Sequence, residues 1–188
     1  LLSVGEDGLY SNSLRFIFEL IQNVDDCEYA KPDDCKLDMR FDFNSGEIVL
    51  SYNEVGFTPF NIFAITGIAE AAKNVSASKN EIGEKGIGFK SVFGVAKQVL
   101  IRSGWFSFKL YKENFTIPVA EYKNDQYCPG TQMTLYVPGR AREIYRQIRD
   151  QYCRKESLFG KNPLLFLNKL TSLKLYYDTW RSMEFKVS

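Results

Sequence analysis

The sequence predicts an α+β fold, with helices interleaved with a mostly antiparallel sheet. Three observations carry that expectation. Near the N-terminus, Leu14, Ile17, Leu20, Ile21 and Val24 recur at helical spacing. Leu37, Met39, Phe41 and Phe43 then alternate with Asp38, Arg40 and Asp42, the period of a strand with one buried face. The run from Gly130 to Val137 alternates in the same way and stops at Pro138.

In chain order, residues 1–13 read as a lead-in, because Gly5, Gly8 and Ser11-Asn12-Ser13 are turn and cap residues. A helix is expected from Ser13, acting as N-cap. Glu19, Asn23 and Asp26 fall in one stripe opposite its apolar face, at about 100° per residue. That stripe is either a solvated face or a row of oxygen donors turned to a ligand. Pro32 and Asp33-Asp34 break the chain before the first strand. Asn44-Ser45-Gly46-Glu47 reads as a hairpin turn and Ile48 to Tyr52 as the returning strand. A polar strand end, Asn53 to Pro59, leads into a helix carrying Phe60, Ile62, Phe63 and Ile65. From Gly67 to Ile82 the chain is small, polar and lysine-bearing, with Lys73 and Lys79 placed to face whatever the following loop binds. Phe89 to Val95 reads as a helix, Val99 to Ser103 and Trp105 to Tyr111 as a hairpin, and Phe115 to Tyr122 as an extended piece. Arg140 to Arg154 is a charged helix, Asn162 to Leu167 an apolar one, and Leu173 to Tyr177 and Met183 to Val187 are late strands.

Composition sets limits on the chemistry. The 188 residues suit a single domain over 1–188, and 45% hydrophobic with 25% charged residues allow a core under a polar surface. A net charge of +1 gives no field to recruit nucleic acid or a membrane. The chain has no histidine, so any general base is expected to be a carboxylate. Its four cysteines form no C-x-x-C pair, which points to a reduced protein of the cytoplasm or nucleus rather than a secreted one. No apolar run is long enough to span a membrane. The first residue is Leu, so the chain is expected to be excised from a longer protein.

The most informative stretch is Gly83-Glu84-Lys85-Gly86-Ile87-Gly88-Phe89-Lys90-Ser91. Three glycines in six residues, opening into an apolar run, allow backbone amides to approach an anion closely. Lys85 and Lys90 add positive charge. A Walker A loop would need Lys directly after Gly88, where Phe89 stands. A dinucleotide fingerprint would read G-x-G-x-x-G after a buried strand, and this loop reads G-x-x-G-x-G after a polar one.

Set beside this loop, Glu19-x-x-x-Asn23-x-x-Asp26 on a helix, Asn53-x-x-Gly56 at a strand end, and Gly130-Thr131 before an alternating strand form an ordered set. Their order and spacing resemble the ATP-binding domain shared by DNA gyrase, the ninety-kilodalton heat-shock chaperone, sensor histidine kinases and mismatch-repair MutL. The run Ile82 to Phe93 is most similar to the chaperone-like domain of sacsin and plant No Vein proteins. The likeness covers residues 10–140 as a motif core, leaving 141–188 as a helical and strand extension. It implies a Bergerat-type two-layer sandwich, a mostly antiparallel mixed sheet with helices on one face.

The resemblance also implies roles. Asn23 would hold Mg²⁺ through its side-chain oxygen. Glu19 would orient and deprotonate the attacking water. Asp26 would hold a metal-bound water or a lysine. Gly83, Gly86, Ile87, Gly88 and Phe89 would meet the phosphates, with Lys73, Lys85 or Lys90 neutralising charge. Thr131 would join a water network at the adenine. Where the family has Asp to accept a bond from the adenine amino group, this sequence has Asn53, with Gly56 displaced by one residue and Glu54 the other candidate for the acceptor.

The function implied is Mg-ATP binding and slow hydrolysis, driving lid closure in a larger chaperone-like protein. Partners would be ATP and ADP, the other domains of that protein, and a client or a dimer partner. The alternative is an inactive nucleotide-binding or ligand-free scaffold, motivated by Asn53. A kinase role would need a phosphoacceptor histidine from outside the chain.

Overall fold

The structure, a computed structural model, describes residues 4–66, 89–121, 126–153, 164, 167–177 and 181–186. Helix α1 runs Val4–Asp25, followed by a 3₁₀ turn at Pro32–Asp34 and strands β1 (Lys36–Asp42) and β2 (Glu47–Tyr52). Helix α2 (Pro59–Thr66) comes next. After a 3₁₀ turn at Ser91–Gly94 follow β3 (Gln98–Gly104), β4 (Phe106–Tyr111), β5 (Asn114–Ala120) and β6 (Cys128–Tyr136). Helix α3 (Ala141–Cys153), β7 (Ser172–Tyr177) and β8 (Arg181–Lys186) close the order. The fold is the expected α+β arrangement.

Among the described residues the strands join one sheet of eight, ordered β5-β4-β3-β6-β2-β1-β7-β8. Every pairing is antiparallel except β1 with β7. The registers align the apolar sets: Leu37 lies opposite Tyr52, Met39 opposite Leu50 and Phe41 opposite Ile48. Across the next pair, Leu50 lies opposite Met133 and Ile48 opposite Leu135. These residues are buried and form one core with Leu14, Ile17, Leu20, Ile21 and Val24 of α1 and Ile144, Tyr145 and Ile148 of α3. The alternate positions Asp38, Arg40, Ser51 and Gln132 face the other way, as a strand period of two requires. The hairpin between β1 and β2 is set by Asp42, whose Oδ1 accepts the amides of Asn44 and Ser45 at 3.0 Å each, and by Gly46 at φ 71°.

Two elements differ from expectation. α1 starts at Val4, so Gly5, Gly8 and Ser11 to Ser13 are helical rather than a lead-in. Gly and Ser cost a helix at most roughly 1 kcal/mol each against Ala. With no proline in the stretch, that penalty does not stop a helix whose later turns bury Leu14, Ile17, Leu20 and Ile21. The helix expected over 89–95 is helical only at Phe89 and Lys90 before it tightens into the 3₁₀ turn. The apolar helix expected at 162–167 lies mostly outside the described residues. Among the described residues no helix is long and apolar enough to cross a membrane.

The parallel strand β7 is docked by a carboxylate at the end of α1. Asp25 is buried and accepts three backbone amides: Asn168 at 2.7 Å, and Lys169 and Leu170 at 2.8 Å. Lys169 Nζ returns to the carbonyls of Asp26 (3.2 Å) and Cys27 (2.7 Å), just past the helix's negative end. Thr171 donates its amide and its hydroxyl to the Cys35 carbonyl at 2.9 and 3.0 Å. These bonds fix the start of β7 beside β1. Replacing Asp25 by Ala strands three amides beside a buried side chain. We expect it to lower unfolding free energy by roughly 3 kcal/mol in urea titrations, given the usual worth of hydrogen bonds to a charged group. A loss under about 1 kcal/mol would contradict the docking role.

Candidate functional site

A cavity of about 480 Å³ opens between α1, α2 and the inner face of the sheet. Its floor is Leu50, Tyr52 and Met133. Leu20, Asn23 and Val24 of α1 form one wall, and Asn61, Ala64 and Ile65 of α2 the other. Phe89, Asp26, Cys27 and Lys169 complete the rim, and the segment 54–58 crosses between the walls. A chamber of this size, with an apolar floor and polar groups such as Asn23, Glu54 and Asn61 on its walls, has the usual form of a small-molecule site.

The polar centre of the cavity is Glu54. It follows β2, where Ile48, Leu50 and Tyr52 already point inward, and the same alternation turns Glu54 inward too. Only 8% of the residue is exposed. Thr131 Oγ1 lies 2.5 Å from Glu54 Oε1, and the Gly56 amide also donates to the carboxylate. Gly56 sits at φ 98°, a conformation that glycine alone adopts without strain. Burial raises the pKa of Glu54 above its ordinary 4.5, and the bonds from Thr131 and Gly56 offset this only in part. A carboxyl kept in a cavity against its own desolvation is a mark of a binding site. Tyr52 is buried behind it, and desolvation holds its phenol protonated far above neutrality.

No protein-family model matches the chain. Its sequence nevertheless has clear relatives. Over 101 residues, 54% of the chain, it is 43% identical to Protein NO VEIN of Arabidopsis thaliana, of which that stretch is 4%. Over 118 residues, half of the chain, it is 32% identical to the chaperone protein HtpG of a Shewanella species and 30% identical to HtpG of Rickettsia canadensis. The matched stretch is 18% and 19% of those chaperones, so the chain spans about a fifth or less of the curated relatives it matches.

The structure gathers some of the expected site residues and separates others. Asn23, Asp26, Gly56 and Phe89 line the cavity. Thr131 is buried just behind Glu54 rather than on the cavity surface. Glu19 lies one helical turn before Asn23, half-exposed and 3.5 Å from Arg15 Nε, and is not part of the lining. Lys90 is stacked over Phe115, 5.9 Å from the ring centroid, and also lies outside the lining. Lys73, Gly83, Lys85, Gly86, Ile87 and Gly88 fall outside the described residues.

Asn53 is the residue the geometry moves furthest from its expected place. It points away from the cavity, accepting the Lys36 amide on Oδ1 at 2.8 Å and donating Nδ2 to the Asp34 carbonyl at 2.6 Å. It ties the end of β2 to the start of β1, and Glu54 takes the inward position. The signal that separates them was available in the alternation of β2. Lys169 and Ser103 are further polar groups of this region that the motifs did not indicate. Lys169 arrives from a distant segment, and Ser103 sits in an otherwise ordinary strand.

The approach of β6 to β2 depends on Gly130. At φ 74°, a Cβ there would stand 2.4 Å from the Tyr52 carbonyl oxygen and 3.1 Å from Asn53 Cα, both backbone atoms. Replacing Gly130 by Ala is expected to cost about 2 kcal/mol or more in denaturant unfolding, from left-handed strain and collision together. It also displaces Thr131 from Glu54. A variant as stable as the parent would contradict this reading of the turn.

Proposed function

We propose that the cavity binds an adenine nucleotide with Mg²⁺, and that the protein hydrolyses it slowly as part of a conformational switch in a larger chaperone-like protein. The observation that carries this reading is the buried Glu54 carboxylate, paired with Thr131 beside an apolar floor of Leu50, Tyr52 and Met133. An adenine ring is flat and apolar, with an exocyclic amino group that needs an acceptor. Glu54 supplies that acceptor, and Leu50, Tyr52, Met133 and Ile65 supply the faces. A charged acceptor makes the stronger bond. The similarity to HtpG and to NO VEIN is consistent with the reading.

The donor set suits a hard cation. Asn23 places a side-chain amide on the cavity wall, with Asp26 one turn further along. Oxygen ligands of this kind, few in number, fit an ion that keeps most of its waters. Asn23 would hold Mg²⁺, which when bound neutralises phosphate charge. Glu19, one turn back on the same stripe and half-exposed, is the carboxylate assigned to orient and deprotonate water.

Calorimetry with ATP and ADP, with and without Mg²⁺, tests this. We expect Mg²⁺-dependent binding that Asn23→Ala weakens by about tenfold or more. Glu19→Ala should lower turnover by about 100-fold while leaving affinity nearly unchanged. Affinity should be full where Glu54 is ionised and fall as pH drops through its midpoint, which lies above 4.5. Glu54→Gln should remove that acid limb. The unliganded protein responds in the opposite sense. Its folded state holds the Glu54 proton more tightly than the unfolded chain does. This contribution to stability is therefore complete below 4.5 and lost as pH rises to the folded midpoint. No binding at millimolar nucleotide would overturn the proposal.

A further inference from the structure

Behind Glu54 the polar contacts continue into the sheet. Ser103 on β3 is fully buried and lies beside Thr131 in the pairing of β3 with β6. Its Oγ accepts the Phe57 amide at 2.7 Å, sits 2.5 Å from Thr131 Oγ1, and is 3.3 Å from the Gly130 carbonyl. Thr131 Oγ1 in turn is 2.5 Å from Glu54 Oε1 and in hydrogen-bonding contact with the Tyr52 phenol. A hydroxyl has one proton to give and two lone pairs to receive with. Ser103, already an acceptor for Phe57, has two candidate targets for its proton, and Thr131 is much the nearer. Thr131 then receives from Ser103, which leaves its single proton for Glu54.

We propose that Ser103 is a positioning residue of this cavity: by donating to Thr131 it aims the Thr131 hydroxyl at Glu54 and keeps that carboxylate an acceptor for the ligand. The inference rests on the adenine reading of the cavity and extends it to the device that orients its acceptor. It also ties the acceptor to the segment 54–58, because the same Ser103 oxygen holds the Phe57 amide. Hydrogen bonds in such a chain polarise one another, so the end bond is stronger than an isolated one. Ser103 touches no cavity surface, so its effect on a ligand passes through Thr131 and Glu54. The other titratable groups around Glu54 are Tyr52 and Tyr29, with Asp26, Cys27, Glu28 and Lys169 on the same lining.

Two readouts on the whole protein test this. The first is the pH midpoint of Glu54 in the ligand-free state, followed by the ¹³C shift of its carboxyl carbon. The second is calorimetric affinity for Mg-ATP near neutral pH. Circular dichroism checks that each variant is folded. Ser103→Ala should raise the Glu54 midpoint by roughly half to one pH unit and weaken Mg-ATP roughly 5- to 10-fold. Ser103→Thr, which keeps the hydroxyl, should restore the midpoint. In a Thr131→Val background, Ser103→Ala should change the midpoint no further, since the path runs through Thr131. An unmoved midpoint in folded Ser103→Ala, or an equal shift in the Thr131→Val background, overturns the proposal. If the parent protein binds no Mg-ATP, the adenine reading fails, and the Glu54 midpoint still decides whether Ser103 positions the carboxylate.

Discussion

Everything at the cavity depends on how closely β6 approaches the end of β2. Strand β6 lies between β2 and β3, so its inward residues meet both neighbours. At its start, Gly130 lets the chain pass against the Tyr52 carbonyl at a distance no side chain would permit. That contact sets Thr131 opposite Tyr52 on one side and Ser103 on the other. Three polar side chains from three strands thus converge under a single inward carboxylate, Glu54. Burial of that group is unfavourable for its charge, and the convergence of hydroxyls and the Gly56 amide is what makes the arrangement tolerable.

The end of α1 shows how neighbouring carboxylates can serve opposite ends. Asp25 points inward and is consumed by three amides of the segment before β7. Asp26, the next residue, is exposed and lines the cavity rim. Lys169 belongs to both settings. Its amide is held by Asp25, its ammonium rests on the carbonyls of Asp26 and Cys27, and its side chain borders the cavity. The strand extension after α3 is therefore attached to the same helix end that carries Asn23. A change at the cavity wall has a short, hydrogen-bonded route to β7.

Much of the fold was legible in the sequence because its signals are local. The period-two runs at Leu37–Phe43 and Gly130–Val137 became β1 and β6, and the turn residues Asn44 to Glu47 became their expected hairpin. The start of α1 was misplaced because Gly and Ser are weak helix breakers, and a buried face further along outweighs them. Asn23, Asp26 and Gly56, named in the sequence through the family resemblance, lie on the cavity lining. Motif register set Asn53 in the acceptor's place and kept Glu54 as the other candidate, while strand alternation along β2 turns Glu54 inward. Asp25, Ser103 and Lys169 were not legible, since their partners lie 27 to 145 residues away in the chain or arise only from strand pairing.

The most direct test of the central claim compares ATP with ITP, which carries a carbonyl where adenine carries its amino group. The Glu54 carboxylate rewards a donor and repels an acceptor, so ATP should bind at least about tenfold more tightly. Glu54→Gln, whose amide can turn to give either a donor or an acceptor, should narrow that ratio towards one. Equal affinities of the parent protein for the two nucleotides would contradict the assignment of Glu54 as the base-reading group.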